Sequence, residues 1–207
     1  SRFRLSAEEI RDNALAISGL LTKKIGGPSV RPYQPSDYYS DKVGRGWDQS
    51  RGDDLYRRGV YTYWRRTTVY PAFQIFDAPS REFCTVNRPR TNTPLQALVL
   101  MNDPTYVEAA RVFAQRILTE GGSSTRERLI FAFQAAVSRS PNAQELDVLQ
   151  RLYQQQLSIY QDDTEAAMKI VMVGESPVPE GLDPTQHAAW TALATIVLNL
   201  DETVTRE

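Results

Sequence analysis

One cysteine, Cys84, and one histidine, His187, serve all 207 residues. A single thiol excludes an internal disulfide and every paired-cysteine zinc, haem or redox motif. A single imidazole excludes a multi-histidine metal site. A purely carboxylate site for a hard cation is compatible with the composition, but no EF-hand-like spacing of Asp and Gly is present. No apolar run approaches the roughly 18 residues that a membrane span requires, so no membrane insertion by this chain is expected. Charge of one sign is missing too: 24 Lys and Arg against 25 Asp and Glu leave a formal net charge of −1. No global field then draws the chain to nucleic acid or anionic lipid. No repeat of fixed period is present. The chain opens Ser1-Arg2-Phe3-Arg4, without an initiator Met or a signal peptide, and reads as a piece of a longer protein. Neither a metal nor a cofactor is expected.

What is present is ordinary globular material, 41% hydrophobic and 24% charged, with length enough for one substantial core. Helix starts are frequent. Ser6-Ala7-Glu8-Glu9 has the form of a capping box, in which Ser6 takes the N3 amide and Glu9 reaches back. Ile10, Ala14, Ile17 and Leu21 follow as an apolar stripe at helical spacing. Gly26-Gly27-Pro28 must end any helix still running. Thr93-Pro94-Leu95-Gln96, Asp103-Pro104, Ser124-Thr125-Arg126-Glu127, Ser140-Pro141, Asp162 with Glu165, and Asp183-Pro184-Thr185-Gln186 open further helices. The last of these presents Trp190, Leu193, Ala194, Val197 and Leu198 on one face.

Between Val30 and about Arg90 the helical period fades. Eleven of the chain's 20 aromatics lie from Tyr33 to Phe76. The run Val60-Tyr61-Thr62-Tyr63-Trp64 reads as a short strand; the rest reads as irregular chain tied down by its own side chains. The fold class is mainly α: a compact multi-helix domain with a long aromatic-rich, largely irregular segment and at most a small strand pair. Residues 1–29 form an N-terminal helix packed on the main domain, 30–92 an aromatic- and Arg-rich wrapping segment, and 93–207 the helical domain, one structural unit in all.

The stretch from Cys84 to Pro104 holds two arginines, three asparagines and three threonines against an apolar run. Arg81, Arg88 and Arg90 have the planar forks that clamp a carboxylate or sulfate. The bland reading is that Arg88, Arg90 and Asn92 are buried and hold loop carbonyls in a structural joint. Asp77 and Glu82 are the best carboxylate pair for general acid–base work, although loop spacing fixes no distance between them. The bland alternative is a pair of capping or salt-bridged carboxylates. Cys84 lacks a nearby base and is expected in the core. His187, in the first turns of the last helix, is expected at the surface. Tyr38, Tyr39, Trp47 and Tyr63 beside Arg and Asp are the composition of a sugar-binding shelf; the alternative is that these rings glue a loop to the helices. Residues 45–90 carry nine Arg and five Asp or Glu, a mixture of basic and aromatic residues that also suits single-stranded nucleic acid.

The strings RFRLSAEEIRDNALAISGLL, GGPSV, YRRGVYTYWRRT, FDAPSREFCTVNRPRTNTPLQAL, RTNTPLQALVLMNDPTYVEAAR and AWTALATIVLNLDETVTRE together resemble domain-of-unknown-function family 1553, in order and over nearly the whole chain. The resemblance implies the C-terminal domain of large planctomycete surface proteins, following a cytochrome-c-like module and a second uncharacterised domain. It implies an extracytoplasmic setting, periplasm or cell surface, which disfavours nucleic acid as a partner. It supplies no reaction. The expected function is a non-catalytic accessory or binding domain, whose partners are other domains of the same protein and, in a glycan-binding reading, polysaccharide. One alternative is a carbohydrate-active or other hydrolytic enzyme using Asp77 and Glu82 with Arg81, Arg88 and Arg90. The other is a docking surface for the cytochrome-c-like module.

Overall fold

The computed structural model describes residues 2–35, 38 and 46–206. A two-residue strand β1 (Phe3–Arg4) leads into helix α1 (Ala7–Ser18). The Ser6–Glu9 capping box forms in both directions. The helix stops at Gly19, whose φ of 87° closes the last turn in the left-handed conformation, well before Gly26. Ile10, Ala14 and Ile17 are buried as the stripe requires.

Between Gly19 and residue 93 the described residues include two 3-10 turns, Gly52–Tyr56 and Gly59–Tyr61, and a five-residue helix α2 (Pro71–Ile75). The expected strand at 60–64 is replaced by the second of these turns and a lone bridge between Val30 and Thr62. Gly59 packs flat against the backbone of Glu8, and that close approach favours a turn over an extended run. Helices α3 (Pro94–Asn102), α4 (Pro104–Glu120), α5 (Thr125–Val137), α6 (Ala143–Asp162), α7 (Thr164–Val171), α8 (Pro184–Leu198) and α9 (Asp201–Val204) follow. The chain ends in β2 (Thr205–Arg206), antiparallel to β1. The fold is mainly α, and the small strand pair joins the two chain ends rather than lying in the aromatic segment.

Two large cores and two small clusters lie among the described residues. In the larger core, α8 packs on α4, α5 and α6, and Trp190, fully buried, lies 4.3 Å from the Tyr153 ring centroid; α7 covers a further face of α8. The smaller core sits where α1, α2, α3 and α4 meet, around Ile10, Phe73, Leu100 and Tyr106. Because α8 is apolar almost all round and enclosed by these helices, His187 is buried, contrary to its expected surface position. Cys84 departs the other way and is exposed, in an irregular stretch of bends that no helix covers among the described residues.

The irregular segment is held chiefly by arginine. Arg11 donates to the carbonyls of Arg57 and Leu55 at 2.5 and 2.7 Å. Arg57 donates in turn to the carbonyls of Pro28, at 2.9 Å, and Gly26, and its guanidinium lies 3.9 Å from the Tyr61 ring centroid. Both side chains are buried. Chain without sheet or helix must find acceptors and donors elsewhere, and the five-donor guanidinium supplies several at once.

Candidate functional site

Residues 77–96 run from the end of α2 to the first turn of α3. Asp77 adopts a left-handed φ of 60°, which an aspartate tolerates better than most residues. Its Oδ2 then accepts from the Thr91 amide and hydroxyl, both at 2.7 Å, and from Gln96 Nε2 at 3.4 Å. Gln96 is buried and also donates to the Ile75 carbonyl at 3.0 Å. Thr93 occupies the N-cap position of α3 without a side-chain cap bond; the Gln96 side chain is turned to the Ile75 carbonyl and not to the cap.

Arg88 grips Glu8 of α1 through both terminal nitrogens, at 2.9 and 3.1 Å. Arg90 donates to the Arg4 carbonyl at 2.7 Å and lies over the Phe3 ring. The joint between the N-terminal elements and the helical body therefore forms, but not as a buried one: Arg90 and Asn92 are exposed, and Arg88 is half-buried. The segment passes over the surface, so water competes for these groups. Asp77, Arg88 and Arg90 converge with Arg4 and Gln96 on a cavity of only about 10 Å³, the room one water needs.

On the outer side of the same segment lies an open groove of about 570 Å³, lined by Arg66, Pro79, Arg81, Glu82, Phe83, Cys84, Thr85 and Arg88. Arg81, also left-handed at φ 64°, lays its guanidinium 4.0 Å from the Trp64 ring centroid. Trp64 is anchored by its indole N–H on the Ser80 carbonyl at 3.0 Å. Glu82 thus belongs to the groove and Asp77 to the joint.

The aromatic residues proposed for a sugar shelf are engaged with the protein. Trp47, half-buried, donates to the Pro32 carbonyl at 2.8 Å, stacks on Tyr70 and meets Tyr63 edge-on. Tyr63 carries Arg31 over its ring at 4.7 Å. The Tyr38 hydroxyl reaches the Val69 carbonyl at 3.2 Å. Tyr39 lies outside the described residues.

Residues 1–153 match a family described as a protein of unknown function, DUF1553, also labelled PSD1. The chain belongs to this family. No curated protein and no solved structure matches it. Of the stretches quoted above for the resemblance, all but AWTALATIVLNLDETVTRE lie inside the matched residues of the DUF1553 chain.

A polar knot that sequence reasoning passed over lies on α4 of this DUF1553 chain. Glu108 and Arg111 are both buried, 3.6 Å apart. Glu108 accepts from the hydroxyls of Tyr56 and Tyr33, at 2.8 and 2.9 Å, and from the Ser176 amide at 2.7 Å. Burial first, then the neighbouring Glu108 carboxylate, pushes both tyrosine hydroxyls well above their ordinary range. Arg111 donates to the carbonyls of Val173 and Ser176, and burial lowers its pKa. Gly174, at φ 93°, allows the loop between α7 and α8 to close over Glu108; a Cβ there would overlap the carboxyl group. His187 Nε2 faces the Arg111 carbonyl oxygen at 3.1 Å. A carbonyl only accepts, so Nε2 carries the proton. The signal in the sequence was a Glu–Arg pair three residues apart amid the inward Val107, Ala110 and Ala114. It passes for a solvated pair because its partners lie 52 residues or more from Glu108 in sequence.

Proposed function

We propose that this chain is a non-catalytic accessory domain of a larger extracytoplasmic protein, in which residues 77–96 join the N-terminal helix to the helical body and present a binding face. One observation carries the reading. The carboxylate pair of the hydrolytic alternative, Asp77 and Glu82 with Arg81, Arg88 and Arg90, does not share one cavity: Asp77 meets Arg88 and Arg90 around about 10 Å³ of space, whereas small-molecule sites occupy roughly 300–1,000 Å³, and Glu82 and Arg81 line the separate outer groove. The Asp77 carboxylate is already an acceptor for Thr91 and Gln96, the work of a loop staple. The family resemblance supports the extracytoplasmic setting and the neighbouring domains.

The test is a panel of chromogenic glycosides and soluble polysaccharides, with the chain and its Asp77→Asn and Glu82→Gln variants. The expected result is no turnover that either substitution removes, together with a lower melting temperature for Asp77→Asn. Turnover abolished in a variant that still folds would overturn the reading in favour of an enzyme.

A second reading, a docking surface for a neighbouring module such as the cytochrome-c-like one, is favoured by α3. Leu95, Leu98 and Met101 are exposed at helical spacing, beside an apolar hollow of about 460 Å³ that includes Pro35, Pro71, Ile75 and Val99. Contiguous exposed apolar surface of this kind marks contact with another protein. Leu98→Glu would weaken association of the chain with that module in the longer protein.

A further inference from the structure

The groove on the outer side of residues 79–88 holds two guanidinium groups whose N–H donors the described residues do not satisfy. Arg66 and Arg81 donate to no acceptor among the described residues, and both line the groove. Arg81 lies over the Trp64 face, a contact that takes up no hydrogen-bond acceptor and so leaves its five N–H donors without one among the described residues. The left-handed backbone at Arg81 costs an ordinary residue stability, so its placement over Trp64 is held by the surrounding structure. Arg88 adds a third cation, partly neutralised by Glu8. Glu82 is the one carboxylate among the lining residues. Arg90 is not part of this groove; it faces the joint.

We infer that the groove binds an acidic polysaccharide, through sulfate or carboxylate groups that bridge Arg66 and Arg81. The inference rests on the reading of the chain as a binding domain and names its ligand class. Planar guanidinium forks match sulfate and carboxylate oxygens in pairs. The trough is open and shallow, so it suits a chain passing through more than a small molecule enclosed on all sides. Phe83, 79% exposed, offers an apolar ring at the same trough for a sugar face. One ring does not make the successive stacking platform that single-stranded nucleic acid uses.

Cys84 reports on the groove directly, being the chain's only thiol, exposed, and part of the lining. The experiment compares alkylation of Cys84 by iodoacetate, which is anionic, and by iodoacetamide, which is neutral. A cationic groove should raise the iodoacetate-to-iodoacetamide rate ratio by about tenfold over that of glutathione, and added salt should erase the excess. Heparin and polygalacturonate are then titrated as protectants against iodoacetamide, beside inorganic sulfate and a single-stranded oligonucleotide. Protection by either polysaccharide is expected at concentrations where sulfate and the oligonucleotide give none. Arg66→Ala and Arg81→Ala should each weaken it at least about tenfold, the loss of a charge-assisted hydrogen bond. Arg126→Ala, which removes an exposed charge elsewhere, should leave it unchanged. A rate ratio equal to glutathione's, protection that survives the double Arg variant, an equal loss in Arg126→Ala, or protection by sulfate or oligonucleotide alone would each overturn the inference. Hydrolysis of a glycoside panel would instead count against the non-catalytic reading, so the two failures are separable.

Discussion

At Glu108 one carboxylate accepts hydrogen bonds from the Tyr33 and Tyr56 hydroxyls and the Ser176 amide. Removing it leaves the Tyr33 and Tyr56 hydroxyls without their acceptor and the buried Arg111 charge without its counter-ion. Breaking a buried pair from one side typically costs about 3–5 kcal/mol, so Glu108→Ala should lose stability on that scale in urea denaturation. Gly174→Ala should lose about 2–3 kcal/mol through the clash and the left-handed φ. An unchanged denaturation midpoint in both would dismiss the knot as a stabilising feature. Arg90→Ala is the contrast: its bond to the Arg4 carbonyl is exposed, and the loss should stay below about 1 kcal/mol. His187 adds a pH dependence. Burial, opposed by the hydrogen bond to the Arg111 carbonyl, holds its pKa below the ordinary value of 6.5. The unfolded chain therefore binds a proton first as pH falls, and stability drops from about pH 6.5 downward. Asp103 acts in the opposite sense, since burial raises its carboxyl and the fold gains on acidification. Melting temperatures measured from pH 7 to 5 should fall more steeply in the parent than in His187→Gln; parallel slopes would remove His187 from the explanation.

At the scale of elements, the irregular segment depends on two buried arginines and a few isolated bridges rather than on a sheet. Arg11→Ala would strip the carbonyls of Leu55 and Arg57 of their donors, at about 1–3 kcal/mol. Limited proteolysis should then cut between residues 22 and 62 faster than in the parent while the helical body stays intact; unaltered cleavage would show that the aromatic contacts suffice. The helices were legible in the sequence because their signals are local: Ser6 with Glu9 and Ser124 with Glu127 form the capping boxes their spacing promised, and Trp190 lies in the core its periodicity indicated. Signals that depend on distant partners were not legible. Nothing near His187 announces the helices around it, and nothing near Arg11 announces the carbonyls 44 and 46 residues away. Arg66 and Arg81 share a groove only because Trp64 and Ser80 meet. The polar cluster at 88–92 invited a buried reading by composition, but burial is decided by what packs above it.

At the scale of the molecule, the question is whether the wrapping segment and the helical body unfold together. The Glu108 knot joins Tyr33 and Tyr56 of the wrap to α4 and to the loop after α7. Arg11 joins the wrap to α1, and α1 packs on α4. Opening the wrap therefore exposes a buried carboxylate and a buried guanidinium in the helical body, a cost that couples the two parts. The three tryptophans allow a direct measurement, because Trp47 and Trp64 lie in the wrap and Trp190 in the larger core. A Trp190→Phe variant keeps fluorescence only from the wrap, while far-UV circular dichroism follows mainly the helices. Coincident urea transitions by the two probes are expected, as for a two-state domain. In Trp190→Phe with Glu108→Ala they should separate, the fluorescence change coming at lower urea. Separate transitions already present in the Trp190→Phe protein would mean that the wrap is a distinct folding unit and that the knot does not bind it to the helices.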